Sequence, residues 1–166
     1  MRNAHVLIVE DDEHWIETFT LVLAGKVARI TSAATVDEAI GLLDQRYFNV
    51  AIVDLRLNPH SSPDETGMRF LRAVHERGLG AVIAPIMCTG YGSLNNAIEA
   101  LRDFNVVDFV PKQEFGEQRL IDAVIKAVSA SAAGSSSNRA WASASWQAPA
   151  AKLEARGVLA TPAGGV

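Results

Sequence analysis

The stretch HVLIVEDDEHWIETFTLVL, residues 5–23, decides the fold. His5–Val9 is a short, nearly unbroken run of aliphatic residues, the pattern of a strand covered on both faces. Glu10, Asp11 and Asp12 interrupt it. Beyond them Trp15, Ile16, Phe19, Val22 and Leu23 recur at helical spacing, with Asp11 or Asp12 placed to cap the helix. A buried strand leading through an acidic turn into an amphipathic helix is one βα unit.

The unit repeats along the chain. Val27–Ile30 reads as a second, weaker strand, and Thr35-Val-Asp-Glu38 is a capping box opening a helix with Val36, Ile40 and Leu43 inward. Val50–Val53 is a third strand ending at Asp54; a loop from Asn58 to Thr66 follows, extended and rich in Pro and Ser. The next helix turns Phe70, Leu71 and Val74 inward and stops at Gly78. Ala84–Cys88 is the fourth strand, with Pro85 limiting pairing at its start. Leu94, Ala97, Ile98 and Leu101 mark a helix behind Ser93, Val106–Val110 a fifth strand, and Leu120, Ile121, Val124, Ile125 and Val128 a last helix. Five strands alternating with five helices predict an α/β fold: a doubly wound, five-stranded parallel sheet with right-handed crossovers. Ligands bind such sheets beyond the carboxyl ends of the strands, so the residues just after each strand carry the function.

Composition narrows the class. The chain has 166 residues, 49% of them apolar, which is ordinary for a globular core. Fifteen basic against nineteen acidic side chains give a net charge of −4, which disfavours broad electrostatic binding to nucleic acid. A single cysteine, Cys88, removes a disulfide framework and any cysteine-based zinc site, and fits a reducing compartment. The first apolar run is too short for a signal peptide or a membrane span, so a cytoplasmic protein is expected. Residues 1–133 are expected to form the folded domain. In residues 134–166, 21 of 33 positions are Ala, Gly, Ser, Pro or Thr, which predicts a flexible tail. That tail carries a net +2, leaving −6 on residues 1–133, and Trp141 and Trp146 within it read as incidental aromatics.

The strand ends hold a chemical set. Glu10-Asp11-Asp12 follows the first strand, Asp54 the third, Thr89-Gly90 the fourth and Pro111-Lys112 the fifth. Each residue has an ordinary explanation alone: Asp12 caps a helix, a strand-end Asp forms a turn, Lys112 is a surface charge. Together they gather carboxylates that repel unless a cation joins them. Oxygen donors without His or Cys suit a hard ion, Mg²⁺ above all, with Mn²⁺ as a substitute. A lysine and a hydroxyl beside a metal-bound carboxylate make a phosphate-accepting set in which the central carboxylate is the nucleophile.

These motifs resemble the receiver domain of bacterial two-component response regulators: VLIVEDDE (6–13), VAIVDLRL (50–57), IMCTG (86–90) and DFVPK (108–112). The resemblance covers about residues 4–128. It implies a flavodoxin-like (βα)5 fold with strand order 2-1-3-4-5. It implies phosphorylation of Asp54 by a sensor histidine kinase or a histidine phosphotransfer protein, with Asp11, Asp54, the main-chain carbonyl of Arg56 and, through water, Glu10 around the metal. Thr89 and Lys112 would contact the phosphoryl group and Phe109 would be the aromatic switch, remodelling the surface from about Ser93 to Val128. Output would then be protein–protein: a downstream target, a homodimer, or onward transfer as an intermediate phosphocarrier in a multistep phosphorelay. The chain would be a signalling phospho-acceptor, not an enzyme, with no direct nucleic-acid or membrane partner. Arg56 and Tyr91, each two residues beyond a site residue, are expected to border the phosphoryl group and slow its hydrolysis.

The sequence departs from the family pattern at Glu10, where Asp is also common, at Phe109 in place of Tyr, at Gln113 in place of Pro, and in the longer loop between Asp54 and Gly67. His60 in that loop reads as a solvated histidine. Rival readings fit less well. A haloacid-dehalogenase-type phosphatase needs a second Asp two residues after the nucleophile, where Arg56 stands. A flavin-binding protein needs a Ser/Thr/Gly-rich loop where Glu10–Glu13 stands, and a Rossmann fingerprint is missing, since Gly78-Leu-Gly80 precedes a strand. A degenerate receiver would have lost a member of the acceptor set.

Overall fold

The computed structural model describes residues 1–57, 66–90 and 103–134. Within them five parallel strands form one sheet: β1 (His5–Val9), β2 (Arg29–Ala33), β3 (Val50–Val53), β4 (Ala84–Thr89) and β5 (Asp108–Pro111), in the order β2-β1-β3-β4-β5. The helices are α1 (Glu13–Leu23), α2 (Val36–Leu43), α3 (Thr66–Glu76) and α4 (Glu117–Gly134). The helix expected behind Ser93, the loop around His60 and the chain beyond Gly134 lie outside the described residues. None of the described helices is long and apolar enough to cross a membrane.

Alternation along the strands divides the core in two. Leu7, Val9, Ala51, Val53 and Met87 point to the side covered by α2 and α3, where Phe70, Leu71, Val74, Val36 and Leu43 meet them. Val6, Ile8, Val50, Ile52, Ile86, Cys88 and Val110 point to the other side, against Phe19, Val22 and Leu23 of α1 and Leu120, Ala123, Val124 and Ala127 of α4. Because both faces are covered, the central strands are almost wholly apolar, with His5 at the start of β1 and Thr89 at the end of β4 as the polar positions.

Local signals set the helix starts. Asp12 is the N-cap of α1, its carboxylate accepting from the His14 N–H at 2.9 Å. Thr35 caps α2 by accepting from the Glu38 N–H at 3.2 Å. Glu38 reaches back to the Ala34 N–H at 3.0 Å, one residue before the position a standard capping box uses. Gly78 follows α3 with φ 67°, the left-handed conformation that only glycine adopts cheaply.

Three expectations are corrected. The second strand is Arg29–Ala33, not Val27–Ile30: it is an edge strand, so Thr31 and Ser32 serve as well as aliphatic residues. The fifth begins at Asp108, not Val106, because Asn105 takes φ 53° and Val107 donates singly to Pro85 O (2.8 Å) before the ladder starts. On α4 Ile125 is 48% exposed, and Ala123 and Ala127 occupy the buried stripe instead, letting the helix lie close to the sheet.

Cys88 lies in the middle of this packing, fully buried, and burial pushes its thiol up to about 12. A thiol kept protonated and covered is inert. The native protein will therefore show no reaction with an aromatic disulfide reagent at neutral pH, and one thiol will titrate once guanidinium unfolds it. Reaction in the absence of denaturant would place Cys88 elsewhere.

Candidate functional site

At the carboxyl edge of the sheet, the backbone holds two carboxylates side by side. Glu10 continues β1, its N–H donating to Ala33 O at 3.0 Å; Asp54 continues β3, its N–H donating to Val9 O at 2.9 Å. One oxygen of each is fixed by the amide two residues on. Asp12 N–H donates to Glu10 Oε1 at 3.3 Å and Arg56 N–H to Asp54 Oδ1 at 3.1 Å. Both residues are buried, Glu10 at 1% and Asp54 at 6% exposure.

The other oxygens converge on one ammonium. Lys112 Nζ lies 2.6 Å from Glu10 Oε2 and 2.7 Å from Asp54 Oδ2. Lys112 is carried there by the 3₁₀ turn Lys112–Glu114 directly after β5. Burial works to lower its pKa, but the bonds to Asp54 and Glu10 outweigh that and raise it, so the lysine is charged at neutral pH. Burial pushes Glu10 up to about 7 against the opposing pull of Lys112.

Asp11 stands exposed beside this pair, and one oxygen from each of Glu10, Asp11 and Asp54 lies within 4.8 Å of the others. Three carboxylates against a single lysine leave a local excess of negative charge. An all-oxygen donor set carrying that excess charge fits a small hard divalent cation such as Mg²⁺.

The remaining predicted residues are placed as follows. Thr89 ends β4, 1% exposed, directly opposite Pro111 and so next to Lys112 in sequence register. Phe109 is half-buried and packs against the α2/α3 side of the core. Arg56 is half-buried, with its amide spent on Asp54. Tyr91 lies outside the described residues.

Three features of the site were not read from the sequence. Gln113 Nε2 donates to the Gly90 carbonyl, joining the ends of β4 and β5. Gly67 sits against the Asp54 backbone so closely that a Cβ would fall 2.3 Å from Asp54 O. Trp15, read only as a core residue of α1, lies beneath the Lys112 ammonium. The spacing of an acidic turn and an aromatic four residues on carries no general signal for that last contact.

Comparison with known proteins agrees with the fold. The family model described as response regulator receiver domain matches residues 6–125. The response regulator protein PilR of Pseudomonas aeruginosa is 32% identical over 112 residues, 68% of this chain but 23% of that protein, so the chain spans about a quarter of that relative. A CheY-like response regulator receiver domain protein from Methanospirillum hungatei superposes with a TM-score of 0.67 at 24% identity, covering 79% of this chain and 98% of that one. The signal receiver domain of an HD domain-containing protein from Pseudomonas fluorescens gives 0.69 at 19% identity, covering 80% and 99%. These two share the fold. With the family motif spanning most of the sequence, the chain belongs to the response regulator receiver domain family.

Proposed function

We propose that this chain is a phospho-acceptor: Asp54 takes a phosphoryl group from a phosphohistidine on a sensor kinase or phosphorelay protein, or from a small acyl phosphate. The observation that carries the reading is the Lys112 ammonium held by both Glu10 Oε2 (2.6 Å) and Asp54 Oδ2 (2.7 Å) at the strand ends, with Asp11 alongside. Asp54 is the nucleophile because it is the central carboxylate and its Oδ1 is already fixed by Arg56 N–H, which aims Oδ2. Lys112 then offers its charge to a phosphoryl oxygen, and the Thr89 hydroxyl is within the same edge to donate a hydrogen bond. Glu10, Asp11 and Asp54, with the Arg56 carbonyl, are the residues that would hold Mg²⁺, whose charge would offset that of the incoming phosphate.

The phosphoryl group favours one of two arrangements of the protein, in which Thr89 and Phe109 move and the face near β5 and α4 changes for a protein partner. The chemistry is self-directed, acceptance and hydrolysis at one aspartate, and the setting is the cytoplasm. Incubation with acetyl phosphate and Mg²⁺ is expected to add one phosphoryl mass to the wild type and none to Asp54→Asn, read by intact mass. An equal adduct on both proteins would move the acceptor to another residue.

A further inference from the structure

We propose that Trp15 is a positioning residue for Lys112: its indole face holds the ammonium where it meets Asp54, and so tunes how readily the site takes a phosphoryl group. The inference rests on the phospho-acceptor reading and extends it to a residue of α1 outside the acceptor motif.

The ammonium has two kinds of neighbour. Glu10 and Asp54 provide the carboxylates, and Lys112 Nζ lies over the Trp15 ring, 5.2 Å from its centroid. That distance is inside the range in which the negative face of an indole attracts a cation, and tryptophan is the strongest such partner. The lysine side chain is only 9% exposed, so the attraction is little screened by water.

The ring is itself held in place. Phe115 meets Trp15 edge-on at 5.3 Å and 75°, Phe19 lies 5.5 Å away, and Phe19 and Phe115 are 5.7 Å apart. Phe115 comes three residues after Lys112, so one short segment supplies both the cation and a support of the ring beneath it. A lysine on its four-carbon stem otherwise spreads over many rotamers. With carboxylates and an aromatic face around it, the ammonium is confined before any phosphodonor arrives, which lowers the ordering needed in the transition state.

Packing and cation attraction can be separated by fluorination, which drains the negative face of the indole while keeping its shape. In the 166-residue chain carrying Trp141→Phe and Trp146→Phe, Trp15 is the sole tryptophan and can be replaced biosynthetically by mono- to trifluorinated analogues. With acetyl phosphate and Mg²⁺, the rate of adduct formation at Asp54 is expected to fall stepwise, by about threefold to tenfold across the series. A second readout needs neither metal nor phosphodonor: the Lys112 ε-methylene protons will resonate upfield through the ring current of Trp15, and return to ordinary positions in Trp15→Leu. Trp15→Phe will give an intermediate rate. Adduct formation at one rate throughout the series, or unshifted Lys112 protons in the unsubstituted protein, overturns the role of Trp15 and leaves the acceptor standing. Absence of any adduct on the unsubstituted protein overturns the acceptor reading and this inference with it.

Discussion

Gly67→Ala will destabilise the protein and disable the site together. Gly67 opens α3 with its N–H donating to Leu55 O at 3.0 Å, pressing the start of the helix onto the chain just after Asp54. A methyl group there would stand 2.3 Å from Asp54 O and 2.7 Å from Leu55 Cα, both backbone atoms that no rotamer change can move. The first turn of α3 or the Asp54 segment must shift. Small-to-large changes in packed surroundings cost about 1–3 kcal/mol, and a main-chain clash belongs at the upper end. Since Asp54 Oδ1 is fixed by an amide two residues along, the displacement also misaims the nucleophile, and a 1 Å error can cost about a hundredfold in rate. Gly41→Ala is the internal control: nothing lies within 4 Å of its would-be Cβ, and it sits inside α2. Alanine there will stabilise by about 0.5–1 kcal/mol. Urea unfolding of the two variants with the phosphorylation assay checks both signs, and equal stabilities would remove the close approach at Gly67.

How much of this was legible depends on what each residue faces. β1 and β3 were bounded correctly because they are central strands, buried on both sides: the apolar run is the whole of β3 and all of β1 after His5. β2 was misplaced because an edge strand makes no such demand; its position is fixed instead by pairing to β1, His5 opposite Arg29 through Val9 opposite Ala33, which is a tertiary fact. Ile125 fitted the helical period of α4 but is half exposed, since the buried stripe is narrow and is made by Leu120, Ala123, Val124 and Ala127. The strand order came from family resemblance, and the structure has the same order.

The site divides along the same line. The residue types at the strand ends were readable, since a parallel sheet delivers every strand's carboxyl end to one edge. Their pairing was not. That one lysine spans Glu10 and Asp54, leaving Asp11 exposed, depends on the depth of each side chain below the surface. The positions of Gln113 and Trp15 depend on the turn after β5, whose shape no periodicity encodes.

That pairing makes Lys112→Met the second large effect, and its sign with metal is the informative part. Methionine keeps the length and apolar stem of lysine and removes the charge. Glu10 and Asp54, at 1% and 6% exposure, then face each other without their shared cation. Stripping one partner from a buried ion pair costs about 3–5 kcal/mol, because the remaining charge has lost its water and gained nothing. Here two carboxylates are left, and protonation of Glu10, already pushed up to about 7 by burial, relieves part of the repulsion, which sets the expected loss near the lower figure. In chelator the variant should therefore unfold at markedly lower denaturant than the wild type. A divalent ion bound among Glu10, Asp11 and Asp54 would supply the missing charge, so millimolar Mg²⁺ should recover more stability in Lys112→Met than it adds to the wild type, whose lysine already competes for the same oxygens. Equal Mg²⁺ stabilisation of the two proteins would mean that the lysine and the metal do not act on the same carboxylates, and the site would have to be rebuilt around a different set of donors.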